Sequence, residues 1–362
     1  MQYIASSACD ALEMEGLCVM KLKEIAKIAN VSPSTVTLVL NNREGVSPEK
    51  RRQIQDLLDK YGYSSGEQST AKRPAPALRQ TRLLFVKYKE HSMLVDGNPG
   101  FVNSIIDAVE MECRRQNCSL SLMVASRDQL PSLSGMINNE APDGVLLLGT
   151  ELKEDDCLSF ASVKAPMVII DNFPKIHEFN CITMNNFSAI YGAVKHLLEL
   201  GHPNVGFLAN AVPSSNCLER LAAFESSLTQ LGRKFDPDLV YAVQPTTDGA
   251  YVSVSEYLRR GTKFPSAIVA NNDSIALGAI KAFKEHGIRI PQDISIIGFD
   301  NIPFSNMSDP PLTTMDVSCV ELGIWAVRLL CDHIRYPMSS TTKVRLSARL
   351  LTRGSTAQYA GK

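Results

Sequence analysis

Aromatic side chains are scarce in this 362-residue sequence, at 7% with a single tryptophan. A run of about eighteen consecutive apolar residues is missing too, which excludes an ordinary membrane-spanning helix. The first nineteen residues have neither the basic start nor the unbroken apolar stretch of a secretory signal, and they carry Asp10, Glu13 and Glu15. Export is not expected, and residues 1–19 read as a disordered extension ahead of a pattern that starts at Met20. The nine cysteines are scattered, without a C-x-x-C pair. They read as reduced core thiols, not as a disulfide framework or a zinc site. The six histidines fall at no ligand spacing, and both a G-x-S-x-G elbow and a phosphate-cradling glycine loop are lacking. An enzyme on an α/β scaffold is therefore disfavoured, and neither a metal ion nor a cofactor is expected.

The net charge of −1 is uninformative, but its distribution is not. Residues 20–82 hold twelve Lys and Arg against six acids, a surplus of +6, whereas residues 1–19 contribute −3 and the remainder −4. A basic head on a mildly acidic body suits a head that meets a polyanion. The length allows such a head and one or two α/β lobes besides.

In the head, KLKEIAKIANVSPSTVTLVLNN places Leu22, Ile25, Ile28 and Ala29 on one helical stripe, with Lys23, Glu24 and Lys27 facing out. A second helix opens with Ser32 as N-cap and Pro33 at the first helical position, and it buries Val36, Val39 and Leu40. Only Asn30 and Val31 lie between the two, the tight turn of a helix-turn-helix. A third helix runs from Ser47-Pro48-Glu49 through Ile54, Leu57 and Leu58 to Tyr61 and stops at Gly62. Such a unit, over residues 20–63, puts the start of its second helix in the major groove of duplex DNA, where Ser34, Thr35 and Thr37 can reach base edges or phosphates. Ser, Thr and Pro are also what any helix start favours, so the three-helix arrangement carries more weight than any one of them.

Residues 64–82, SSGEQSTAKRPAPALRQTR, have no apolar period and read as a linker. From residue 83 apolar runs alternate with amphipathic helices: LLFVKY, Phe101–Gln116, SLMVAS, Leu130–Asn139, GVLLLG, PMVIID, Ser188–Leu200, VGFLAN, Leu218–Leu231, Gly249–Arg260, AIVANN, Ser274–Glu285 and ISIIGFD. Strands without polar alternation, separated by helices, imply parallel sheets covered on both faces, here doubly wound and repeated as two lobes over residues 83–362. Ligands in such folds sit beyond the carboxyl ends of strands. Polar residues there are Asp171, Asn271, Asn272, Asp273, Asp300 and Asn301, with Asp273 read as a helix cap. His202 reads as a helix-end residue.

The stretch IAKIANVSPSTVTLVLNN followed by VSPEKRRQIQDLLDKYGY resembles the LacI/GalR headpiece nearly position for position. From about Ala189, HLLELGHPNVGFLAN, ERLAAFESSL, ANNDSIALGAIKAFKEHGIRIPQDISIIGFDN and PPLTTMD resemble the periplasmic-binding-protein-like body of the same family. The resemblance implies a bacterial cytoplasmic transcription repressor that binds a double-stranded DNA operator under the control of a small-molecule effector. Carried over on it, Pro33, Ser34 and Leu38 fall at base-reading positions, and Thr35, Thr37, Asn41 and Ser47 at phosphate-contacting ones. Phe101, Asp171, Arg220, Asn272 and Asp300 fall at effector-contacting positions. Two departures matter. Leu38 stands where the family usually has Arg, so the bidentate contact to guanine is lost. The linker lacks the family's alanine-rich hinge motif, which makes a disordered basic tether the expectation and Leu78 the one available minor-groove wedge. Two-fold operators imply a homodimer, and the missing heptad tail implies no tetramer. A sugar is the family-level effector, although a nucleobase or a phosphorylated metabolite would use similar pocket chemistry. A solute-binding module for transport or sensing is the alternative on this fold; it predicts an export signal and no DNA head.

Overall fold

The computed structural model describes residues 22–40, 43, 45–60 and 80–361. Asn41, Leu78, the proposed extension and the linker up to residue 79 lie outside them. The head and the body form separate units.

In the head, helices α1 (Leu22–Ile28), α2 (Pro33–Leu40) and α3 (Pro48–Lys60) share one small core of Ile25, Ala26, Ala29, Val36, Val39, Ile54 and Leu58. The turn between α1 and α2 is built by Asn30 at φ 53°. Its N–H donates to the Lys27 carbonyl and that of Val31 to Ala26, the paired bonds that end a helix at a left-handed residue. Asn does here what Gly often does, because its short polar side chain tolerates that region. Burying each of the larger aliphatic side chains stabilises the unit by roughly 1.5–3 kcal/mol. The α1 stripe differs from the expectation in one place. It runs through Leu22, Ile25, Ala26 and Ala29, and Ile28, just outside this i, i+3, i+4, i+7 set, is 49% exposed.

The body has two six-stranded sheets. The first joins β1 (Thr81–Lys89), β2 (Cys118–Ser126), β3 (Gly144–Leu148), β4 (Met167–Ile170), β5 (Asn180–Met184) and β11 (Lys343–Leu346), in the order β11-β5-β4-β3-β1-β2 and all parallel. The second joins β6 (Val205–Asn210), β7 (Val240–Val243), β8 (Ala267–Ala270), β9 (Ser295–Phe299), β10 (Thr313–Asp316) and β12 (Arg349–Leu351), in the order β12-β10-β9-β8-β6-β7, with only β12 antiparallel. Every residue of β3, β4, β8 and β9 is buried. Helices on both faces explain the lack of polar alternation: α4 (Pro99–Arg115), α5 (Leu130–Glu140), α6 (Asn186–Glu199), α7 (Ser215–Gln230), α8 (Thr247–Arg259), α9 (Asp273–Glu285), α10 (Pro303–Met307) and α11 (Cys319–Arg335).

The chain passes between the lobes three times. It leaves β5 for α6, which packs in the second lobe; it returns from β10 into α11, which packs on α4 and on β3, β4 and β5; and it leaves β11 for β12. At the middle passage Ser318 adopts φ 41°, and its hydroxyl accepts from the Glu321 N–H to cap α11. α11 lies so close to α4 that a Cβ on Gly323 would stand 2.8 Å from Ala108 Cβ and from the Ile105 carbonyl oxygen. The pattern of strands and helices expected from sequence did not include β5, β7, β10, β11, β12, α10 or α11. The strands span three to five residues, too few for a period to show. The α11 signal is legible, since Leu322, Ala326, Val327, Leu330 and Cys331 recur at helical spacing and are buried.

Candidate functional site

At the start of α2, the Ser32 hydroxyl accepts from the Thr35 N–H at 3.2 Å and lies 2.7 and 2.8 Å from the Ser34 and Thr35 hydroxyls. Pro33, Ser34 and Thr37 are exposed, as is Ser47 ahead of α3; Thr35 and Leu38 are half-buried. Thr37 donates its hydroxyl proton to the Pro33 carbonyl at 3.0 Å. A phosphate contact therefore asks that rotor to turn outward. Lys50, by contrast, is used inside the head: its ammonium donates to the Ala29 carbonyl at 3.1 Å and so caps α1.

In the body, the five effector positions carried over from the family come together from five separate segments. Phe101, Asp171, Arg220, Asn272 and Asp300 line one cavity of about 40 Å³ between the lobes, with Leu94, Asn98, Thr150, Asn216 and Asn271 among its other walls. Asp171 and Asp300 follow β4 and β9 directly, and both have positive φ, 61° and 109°. Backbone strain at these two positions persists because neighbouring bonds hold it: each N–H still donates into the sheet, to Ile182 and Met315.

Side-chain hydrogen bonds latch the lobes. Asn98 of the first lobe donates to Asp300 at 2.9 Å, and Asn216 of the second donates to the Asp171 carboxylate at 2.7 Å. Thr150 donates to the other Asp171 oxygen at 2.6 Å. Arg220 spends its N–H groups on Asn186 Oδ1 at 2.9 Å and the Asn271 carbonyl at 2.7 Å, rests its guanidinium over the Phe299 ring, and stands 3.7 Å from Asp300. Burial pushes Asp171 up to about 7, against the pull of Thr150 and Arg220 and with a further push from Asp300. Burial likewise raises Asp300 to about 6, with Arg220 and Asn98 opposing. One guanidinium does not fully offset the desolvation of the carboxylates it serves.

The segment from β1 to α4, which departs from the family pattern, is organised by a residue the sequence did not single out. The buried Glu151 carboxylate accepts five backbone N–H groups: Glu90, His91 and Ser92 on one oxygen at 2.7–3.1 Å, and Leu94 and Val95 on the other at 2.8 and 3.2 Å. Wrapped around this anion, the loop delivers Leu94 and Asn98 to the cleft. Burial works to raise the Glu151 pKa, but the donors from His91, Leu94 and Glu90 outweigh it and hold the group below the usual carboxylate range.

One reading of the strand ends needs correction. Asn272, not Asp273, caps α9, accepting from the Ile275 N–H at 2.8 Å. Asp273 is fully buried one residue on, where it accepts from the Thr314 hydroxyl at 2.6 Å and the Ile302 N–H at 3.0 Å. Gly298 makes room for it, because a Cβ there would lie 2.1 Å from an Asp273 oxygen. His202 sits at a helix end as expected, just past α6, with its N–H donating to the Leu197 carbonyl at 3.3 Å. Its ring is buried between the Ser266 and Ser295 hydroxyls and the Ala357 carbonyl, at 2.9–3.1 Å, and burial lowers its pKa.

Asn98, Thr150, Asn216 and Glu151 were missed. The strand-end rule applied to GVLLLGT would have raised Thr150, and Asn216 lies one helical turn before Arg220. Among the described residues, no helix is long and apolar enough to cross a membrane, and no group of three or more His, Cys, Asp or Glu could hold a metal ion.

Residues 21–65 match the profile of bacterial regulatory proteins of the lacI family, and residues 194–356 match a periplasmic binding protein-like domain. The chain is 30% identical over 338 residues to an HTH-type transcriptional repressor PurR of Pasteurella multocida, covering 92% of this chain and 98% of that one. It is 30% identical over 343 residues to the repressor of the same name from Mannheimia succiniciproducens, covering 94% and 99%. Among solved structures, a transcriptional regulator CelR in complex with cellobiose superposes with a TM-score of 0.68 at 22% identity, over 93% of this chain and 99% of that one. A LacI family transcriptional regulator from Enterococcus faecium with bound ribose does so with a TM-score of 0.64 at 25% identity, over 76% and 99%.

Proposed function

Because the chain belongs to the LacI family of bacterial regulatory proteins, whose members are DNA-binding repressors, we propose that it is a homodimeric, cytoplasmic repressor released from or fixed on its operator by a small molecule, of sugar type, held between the two lobes. The observation that carries the effector half is the convergence of Phe101, Asp171, Arg220, Asn272 and Asp300 on one cleft bridged by three chain passages. At about 40 Å³ the cavity is far below the roughly 300 Å³ of ordinary small-molecule pockets. Ligand entry therefore breaks the Asn98–Asp300 and Asn216–Asp171 latches and re-forms them through the ligand. Two lobe arrangements with different ligand affinity are what an effector needs to shift operator binding, by an expected factor of about 5–150.

For the operator half, the exposed Ser34 and Thr37 on a basic head support insertion of α2 into the major groove, with Pro33 and Leu38 reading bases, and with Thr35, Asn41 and Ser47 positioning the backbone. Two such heads related by two-fold symmetry suit a pseudo-palindromic site. Fluorescence anisotropy on the DNA upstream of the chain's own reading frame tests the proposal. Binding about 10³-fold tighter than to scrambled duplex at physiological salt is expected, and its absence would refute the operator reading.

A further inference from the structure

We infer that Cys118 and Cys331 are an oxidisable pair: under hydroperoxide they close a reversible disulfide that stiffens the first lobe where the linker from the head joins it, and so alters operator binding. The bond is independent of the regulator reading; its effect on the operator rests on that reading.

Among the described residues seven cysteines are free, and the sulfurs of Cys118 and Cys331 stand in contact at 3.8 Å although the residues lie 213 positions apart. Cys118 opens β2, and Cys331 is one turn from the end of α11. A third thiol, Cys113 of α4, belongs to the same core cluster. A disulfide needs its sulfurs at about 2.0 Å, an approach that side-chain rotation and a small shift of the helix end supply.

Both thiols are buried, yet each borders exposed chain. Asn117, at φ 57°, precedes Cys118, and Asp332, Arg335 and Tyr336 are exposed around the end of α11. β2 is also the outermost strand of its sheet. Opening the last turn of a helix against an edge strand costs far less than global unfolding, and it is the route by which an oxidant reaches the pair. Burial, with Cys118 alongside, pushes the Cys331 thiol up to about 12. Thiolate is then scarce at neutral pH, so the pair answers sustained oxidant and not a brief pulse.

The chemistry balances. One thiolate attacks a peroxide oxygen: an S–O bond forms, the O–O bond breaks, and the leaving oxygen takes up the thiol proton. The second thiolate attacks the sulfenic sulfur: the S–S bond forms, the S–O bond breaks, and the departing hydroxide takes up the second proton as water. Two thiols are oxidised by two electrons and the hydroperoxide is reduced by two.

Position gives the bond its effect. Cys118 is the register partner of Thr81, the first residue of β1, directly after the linker. α11 is the passage by which the chain returns to the first lobe, and it packs on α4, β3, β4 and β5. A bond between them joins the strand pair at the linker's entry to the helix that comes from the other lobe. Fixing that helix biases the balance between lobe arrangements, and a biased balance changes affinity at a distant site.

The full chain is treated with hydrogen peroxide and then with dithiothreitol, and is read by mass spectrometry of unreduced tryptic peptides, by melting temperature and by anisotropy on the upstream DNA. Expected are a linked peptide holding Cys118 and Cys331, a melting temperature raised by about 5 °C or more, and an operator affinity changed at least about fivefold, all reversed by dithiothreitol. Cys331→Ala should lose the three effects, and Cys113→Ala, which leaves the pair intact, should keep them. A peptide linked through Cys113, or sulfinic acid in place of a bond, would overturn the pairing. A Cys118–Cys331 bond with operator affinity unchanged would overturn the switch. A reduced protein that ignores its operator would count against the regulator reading, while the linked peptide would still decide the bond.

Discussion

Replacing Glu151 with alanine removes the anion around which residues 90–95 are wrapped and leaves five backbone donors without their acceptor. The donors of Leu94 and Val95 are buried, and those of Glu90, His91 and Ser92 are partly so. An orphaned buried donor costs about 1–3 kcal/mol, and water can reach the outer three once the loop loosens, so a total of about 3 kcal/mol is expected. That energy sets two readouts. At 1.36 kcal/mol per decade, hydrogen exchange of the amides at 90–95 should accelerate about a hundredfold. The melting temperature of the body should fall by roughly 6–12 °C. Because the Glu151 pKa is depressed in the folded state, its contribution is present at neutral pH and is lost as pH falls through that low folded value. The gap between wild type and Glu151→Ala should therefore narrow in acid. Millimolar formate, which carries the carboxylate that the substitution removes, should restore part of the protection. Exchange within about threefold of wild type, with a melting point unchanged within about 1–2 °C, would refute the Glu151 carboxylate as an organising element.

Leu38→Arg restores a side chain able to grip guanine, and selection from random duplexes should then show one position moved toward G by about 1–3 kcal/mol; an unchanged consensus would remove residue 38 from base reading. Arg220→Ala should abolish ligand-induced thermal stabilisation while operator affinity stays within about threefold, as read by anisotropy; a persisting shift would place the ligand elsewhere. Burial, helped by Asp300, raises Asp273 to about 8. Its favourable contribution is complete below the unfolded carboxylate value and declines as pH climbs through 8. The melting point should drop between about pH 4 and 8 and level off above that, and Asp273→Asn, which keeps both bonding partners, should flatten that drop; an equal slope in both proteins would assign the drop to other groups.

Much of this protein follows from neighbours along the chain. The helix periods, the Ser32 cap, the Pro at the start of α2 and the unbroken apolar strands are local features, and each is set by interactions within a few residues. The strand-end rule also pointed to Asp171, Asn272 and Asp300 before any geometry was known. What tertiary structure alone decided lies at contacts between residues far apart in sequence. Whether Asn272 or Asp273 capped α9 depended on Thr314 and Ile302 offering a buried carboxylate its partners. The role of Glu151 depended on donors about sixty residues earlier. The latches of Asn98 on Asp300 and Asn216 on Asp171 join residues 202 and 45 positions apart. Period and propensity register only the energy of a residue against its own helix or strand; the pairing of a buried polar group is settled by whichever atom the folded chain brings within 3 Å of it, and no local pattern encodes that.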